Sequence, residues 1–141
     1  MTECAAGTPR WISDLLCWQW TWRLARVALV SAYLIGGMNK LFDFTAAVAE
    51  QEHFGLSPAW FWAVLAIVVE IGGSLLVVTG RLVWLGAGGL GVLTAIAMLV
   101  ANNFWSMAGQ DRFMAINTFF EHLGLIAGFV LVSIRAEETR P

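Results

Sequence analysis

The stretch Leu82–Ala101 reads LVWLGAGGLGVLTAIAMLVA, and it decides the fold class. No charge occurs between Arg81 and Asp111. Apolar residues recur all round the helix, without the polar stripe of a helix that is half in water. Crossing about 30 Å of hydrocarbon takes roughly 20 such residues. Trp22–Leu41, Ala59–Thr79 and Asn117–Ile134 have the same character, although each carries ionisable residues inside. Four spans predict an all-α membrane protein, a four-helix transmembrane bundle.

Composition points the same way. Hydrophobic residues make up 59% of the 141 and charged residues only 13%, with a mean hydropathy of +0.73. Soluble domains hold about 25% charged residues, so a water-covered surface is excluded, as are disorder and a repeat array. With a net charge of −2 and 8 dispersed basic residues, nucleic-acid binding is excluded too. Cys4 and Cys17 have no CxxC spacing and read as incidental reduced thiols. Arg10, Asp14, Arg23 and Arg26 interrupt the first 30 residues, which argues against a signal peptide. Insertion is then expected to rely on the first span.

The chain divides into an interfacial segment at 1–21, a four-span domain at 22–134 and a tail at 135–141. Four spans place both termini on one side with Arg10, Arg23, Arg26, Arg81, Arg135 and Arg140, against Lys40 and Arg112 opposite. That bias makes both termini cytoplasmic. Trp18, Trp20, Trp22 and Trp84 fall at the inner interface, and Trp60, Trp62 and Trp105 at the outer one. Trp11–Trp22 reads as an interfacial stretch. Phe42–Pro58 and Asn102–Ile116 are the outer loops, Gly80–Arg81 is a tight inner turn, and Ser57 with Pro58 reads as an N-cap with proline at the first helical position.

Small residues mark expected helix contacts: Gly36 and Gly37, Gly72 to Ser74, the row Ala87, Gly91 and Ala95, and Gly124 with Gly128. They serve packing inside the bundle or a homo-oligomer interface.

Polar residues inside the spans carry the functional reading. Glu70 lies about 16 Å from the start of its span at 1.5 Å per residue, at the bilayer midplane, where a charge costs about 2.5–3.5 kcal/mol. It must face the bundle, and either be protonated or find a partner. Lys40 is the candidate, because Cβ atoms lean toward a helix N-terminus and the two side chains converge from antiparallel spans. The alternative for Lys40 is snorkelling to the outer surface. Asn102 and Asn103 end the third span. Asn117, Glu121, Gly124 and Gly128 share one face of the fourth by spacing, with His122 beside them. Helix-end capping would also account for the amides. Glu70, Lys40 and His122 are the candidate proton-exchanging residues; Asn39, Asn102, Asn103 and Glu121 are candidates for binding a substrate. Metal ligation is not expected, since there is no Cys/His cluster, no facing histidine pair and no phosphate loop. Such a layer suits proton exchange with a quinol, binding of a small polar solute, or docking of a partner subunit.

Gly36-Gly37-Met38-Asn39-Lys40-Leu41 resembles the glycine-x-x-lysine-leucine end of span one in the DoxX family of small bacterial membrane proteins. Glu70-Ile71-Gly72-Gly73, running through Leu75-Leu76 to Gly80-Arg81, is similar to that family's glutamate-glycine-glycine stretch and glycine turn. The resemblance covers about Arg26–Val132. It implies a four-helix bundle in a prokaryotic cytoplasmic membrane. It also implies a link, through some members and the related DoxD proteins, to thiosulfate:quinone oxidoreductase, a terminal quinol oxidase or oxidative-stress partners. The leading expectation is a quinone-linked redox protein, or a redox enzyme subunit, with electrons carried by a cofactor on the partner. A membrane scaffold and a small-solute transporter are the alternatives.

Overall fold

The structure is a computed structural model that describes residues 7–139. Cys4, Arg140 and Pro141, read above, lie outside them. Helices α1 (Arg10–Cys17), α2 (Gln19–Phe42), α3 (Phe44–His53), α4 (Ala59–Thr79), α5 (Val83–Ala101) and α6 (Gly109–Glu138) follow in order, with a 3-10 turn at Phe104–Ser106. The protein is an all-α membrane protein. α4, α5 with its following turn, and α6 are each long and apolar enough to cross a bilayer. The fourth candidate is α2 joined to α3, bent by 108° between them. With 24 residues α2 is about 36 Å long. Arg23, Arg26 and Lys40 lower its hydropathy below that of the other three.

α2 packs on α4, α4 on α5 and α5 on α6, while α2 and α6 touch more sparsely and close the ring. Each helix offers a stripe to the centre. On α2 it is Arg26, Val30, Tyr33, Gly37 and Lys40, at helical spacing. On α4 it is Ala63, Ala66, Ile67, Glu70, Gly73, Ser74 and Val77, all buried. Val30, Val77, Val83, Ala87, Leu90, Phe129 and Val132 form the apolar core. One polar bridge crosses it: Thr94 donates to the Leu90 carbonyl, so the Tyr33 hydroxyl donates to Thr94 Oγ1.

Only some of the expected small-residue contacts form. α4 and α5 cross where a Cβ added to Gly86 would lie 2.5 Å from the Gly73 carbonyl oxygen. A Cβ on Gly37 would lie 2.8 Å from Ile71, and one on Gly128 would lie 3.0 Å from Leu29. Gly72 and Gly124 have open space instead. The tight turn is present. Gly80 caps α4 in the left-handed region at φ 76°, and a Cβ there would also meet the Arg26 guanidinium at 2.7 Å.

Several boundaries move. Phe42–Pro58 is not an open loop, because Asp43 caps a new helix by accepting from the Ala46 amide at 3.0 Å. Ala47 and Gln51, one turn apart on α3, are buried. Pro58 itself is the N-cap of α4, one position later than the sequence suggests, and no side chain caps that end. The helix α2 begins at Gln19, earlier than the sequence suggests, and is preceded by the short helix α1, whose Trp11, Leu15 and Leu16 are exposed. α6 starts at Gly109 and continues to Glu138, through residues read as loop and tail, because no proline interrupts it there.

Candidate functional site

Two charges from different helices meet at the α3 end of the bundle. Lys40 Nζ donates to Glu70 Oε1 at 3.0 Å and to Oε2 at 3.4 Å. The approach is possible because α2 has no side chains opposite Glu70. A Cβ on Gly36 would lie 3.4 Å from Glu70 Oε2, and one on Gly37 would lie 3.1 Å from Glu70 Cβ. The glycine pair three and four residues before the lysine is therefore the seat of the carboxylate. Glu50 of α3 also approaches the ammonium, with Oε2 3.8 Å from Nζ.

The pair closes one end of a cavity of about 620 Å³, a size typical of small-molecule sites. Lys40, Glu50, Gln51, Glu70, Asn102, Thr118 and His122 supply its polar wall, and the rest is mostly apolar. Its position follows from the α4–α5 crossing. The two helices touch at Gly73 and Gly86, near their connecting turn. The cavity lies between them further on, where Gly88 and Gly89 present no side chain. Leu65, Val92, Ile96 and Val100 line it and are also exposed on the outside of the helices, so it communicates with the lipid-facing surface.

The remaining candidates divide. His122 and Asn102 line the cavity. Nδ1 of His122 lies 2.7 Å from the Thr118 carbonyl oxygen. A carbonyl can only accept, so Nδ1 carries the hydrogen and Nε2 of the neutral ring is left as an acceptor. Asn39 lies on the exposed side of α2 and lines a second, smaller cavity with Gly36, Lys40, Asp43 and Glu50. Asn103 and Glu121 are not brought to the main cavity. Asn103 precedes the 3-10 turn, and its carbonyl accepts from Ser106 Oγ at 2.9 Å. Glu121 is exposed, because the inward stripe of α6 is Thr118, His122, Leu125 and Phe129, about 100° round from the face expected through Asn117 and Gly124. Among the described residues no group of three His, Cys, Asp or Glu side chains could hold a metal ion.

Sequence reading did not single out Glu50, Gln51 or Thr118. Their signal was available only in part: Ala47 and Gln51 are one helical turn apart, but the charges around them look like a solvated loop.

The fold and the site define a class: a small polytopic membrane protein with a lysine–glutamate pair at the head of an apolar cavity. The chain belongs to the DoxX family, whose profile matches residues 21–103. Its sequence is also similar to the inner membrane protein YphA of Escherichia coli (strain K12), 23% identical over 111 residues, which cover 79% of each chain. No solved structure matches it.

Proposed function

We propose that the chain is a subunit of a cytoplasmic-membrane oxidoreductase complex that binds a quinone-class ligand in the cavity and exchanges protons with it at Glu70. One observation carries this reading: the Lys40–Glu70 pair forms the polar end of an apolar cavity whose walls reach the lipid face. An isoprenoid tail fits those walls, and a hydroxyl or carbonyl head fits Lys40, Glu70, Asn102 and His122. A quinol bound there supplies two protons and two electrons. Glu70 accepts one hydroxyl proton and His122 Nε2 the other, while Lys40 holds the carboxylate in place. Electrons pass to a cofactor on the partner subunit, since the described residues hold no group of three His, Cys, Asp or Glu side chains to ligate one. The arginine bias orients both termini to the cytoplasm, and α1 lies in that interface. The similarity to an inner membrane protein supports the location.

Purification in mild detergent, with mass spectrometry of co-purified lipids and titration with ubiquinone-1, tests this. Stoichiometric quinone, with binding weakened about tenfold or more by Ala97→Phe on the cavity wall, is expected. Absence of both quinone and ubiquinone-1 binding would overturn the reading. A scaffold role has one observation behind it, the pair's seat on Gly36 and Gly37, which fixes the register of α2 on α4.

A further inference from the structure

Lys40 borders two spaces, and the groups around it form a graded series. Glu70 is the inner member, its side chain 11% exposed, Lys40 is intermediate at 19%, and Glu50 is the outer member at 47%. Glu70 Oε1 lies 3.0 Å from Lys40 Nζ, and Glu50 Oε2 lies 3.8 Å from the same nitrogen. All three line the large cavity, and Lys40 and Glu50 also line a second one. This is the smaller cavity of about 380 Å³ between α2 and α3, lined by Gly36, Asn39, Lys40, Asp43, Ala46, Ala47 and Glu50. Unlike the first, it is walled by short or polar side chains, and Asn39, Asp43, Ala46 and Glu50 are exposed. Such a lining suits water. The charged groups around Lys40 are Glu70 from α4, Glu50 from α3 and Asp43 between α2 and α3, and Asp43 is engaged as the cap of α3.

We infer that Glu50 and Lys40 form a proton path that connects Glu70, at the head of the apolar cavity, with water in the notch between α2 and α3. Lys40 and Glu70 are used in the function proposed above, which gives the path its proton source; the role of Glu50 and the notch goes beyond it. A proton that reaches Glu70 neutralises its carboxylate and leaves the Lys40 ammonium paired with Glu50 alone. Rotation of the exposed Glu50 side chain closes the 3.8 Å gap. Lys40 then gives one N–H proton to Glu50 Oε2 and takes the proton from Glu70, and Glu50 releases its proton to water. One proton moves from cavity to notch, every group returns to its starting state, and no electron is transferred.

The test needs no bound ligand. In the full chain reconstituted in nanodiscs, stopped-flow infrared spectroscopy after a pH jump follows the carboxylic C=O band that Glu70→Gln removes. Glu50→Gln is expected to slow the approach to the new Glu70 protonation state about a hundredfold, with an endpoint near that of the native protein. Glu50→Asp, or acetate added to the Glu50→Gln variant, restores the rate. An unchanged rate in Glu50→Gln overturns the path. So does a slowing that neither aspartate nor acetate reverses, which marks a structural role, and so does a Glu70 band that never responds to pH. Ubiquinone-1 titration of the same samples separates the two readings. Loss of quinone binding with normal proton kinetics sinks the function proposed above and leaves the path standing; the converse sinks only the path.

Discussion

Arg26 and Lys40 occupy the two ends of one stripe on α2, and both reach across to α4, but they meet different things. Arg26 Nη1 donates to the Val77 carbonyl at 3.2 Å, over the Trp22 ring at 5.6 Å and beside Gly80. Any helix C-terminus offers such carbonyls, so that contact caps α4 and favours its dipole. It needs no other side chain from α4 and borders neither cavity. Lys40 instead meets a carboxylate, placed in the middle of a span by a glycine seat, with a cavity on either side. Two cations on one face can thus have different work: one closes a helix end, and the other holds a charge where the bilayer penalises it. A partner that the backbone supplies for free indicates architecture. A partner that is itself costly to keep calls for a further reason.

The largest effect that sharpens this contrast is expected at the Lys40 end. Lys40→Met leaves Glu70 buried without its partner and should lower stability by about 3–5 kcal/mol, read as loss of folded protein on unfolding in detergent. Lys40→Met combined with Glu70→Leu should recover most of that stability and still lack ubiquinone-1 binding. Recovery of both would reduce the pair to a packing device like Arg26. Gly86→Ala comes next, because the neighbour 2.5 Å from its Cβ is backbone that cannot turn aside. A loss of about 1–3 kcal/mol is expected from such overpacking, measured by the same unfolding. Arg26→Met should cost about 1–2 kcal/mol through the lost cap and leave ubiquinone-1 affinity as it was. Abolished binding there would break the comparison. Glu121→Gln, on the exposed face of α6, should shift stability by no more than about 0.5 kcal/mol.

The spans and the Lys40–Glu70 contact were legible because a charge inside an uninterrupted apolar run has few solutions; the lean of Cβ atoms on antiparallel helices points to the pairing, and the structure decides it over snorkelling of Lys40. α3 was not legible. Asp43, Glu50, Glu52 and His53 look like solvated loop chemistry, and only the cap at Asp43 and the burial of Ala47 and Gln51 against α4 make the segment a helix. Glu50 was hidden with it. The face of α6 was misassigned for a related reason. Gly124 and Gly128 suggested close approach, but Gly124 meets nothing, and Phe129, 2% exposed, supplies the contact in bulk. The cavity had the faintest signal of all. Gly88 and Gly89 look like packing glycines, yet Gly88 has no atom within 4 Å of where its Cβ would stand. Absence of a side chain reads the same whether a neighbour or a void takes its place.

The Gly73–Gly86 crossing has a mechanical consequence. Where two helices come closest through bare backbone, that contact acts as a pivot, and the helices beyond it are levers. From Gly73 to Trp62 the arm is about 16 Å at 1.5 Å per residue, so a tilt of about 5° moves the far end by about 1.4 Å. The width of the cavity mouth is therefore set by an angle fixed several turns away, more than by the girth of the residues around it.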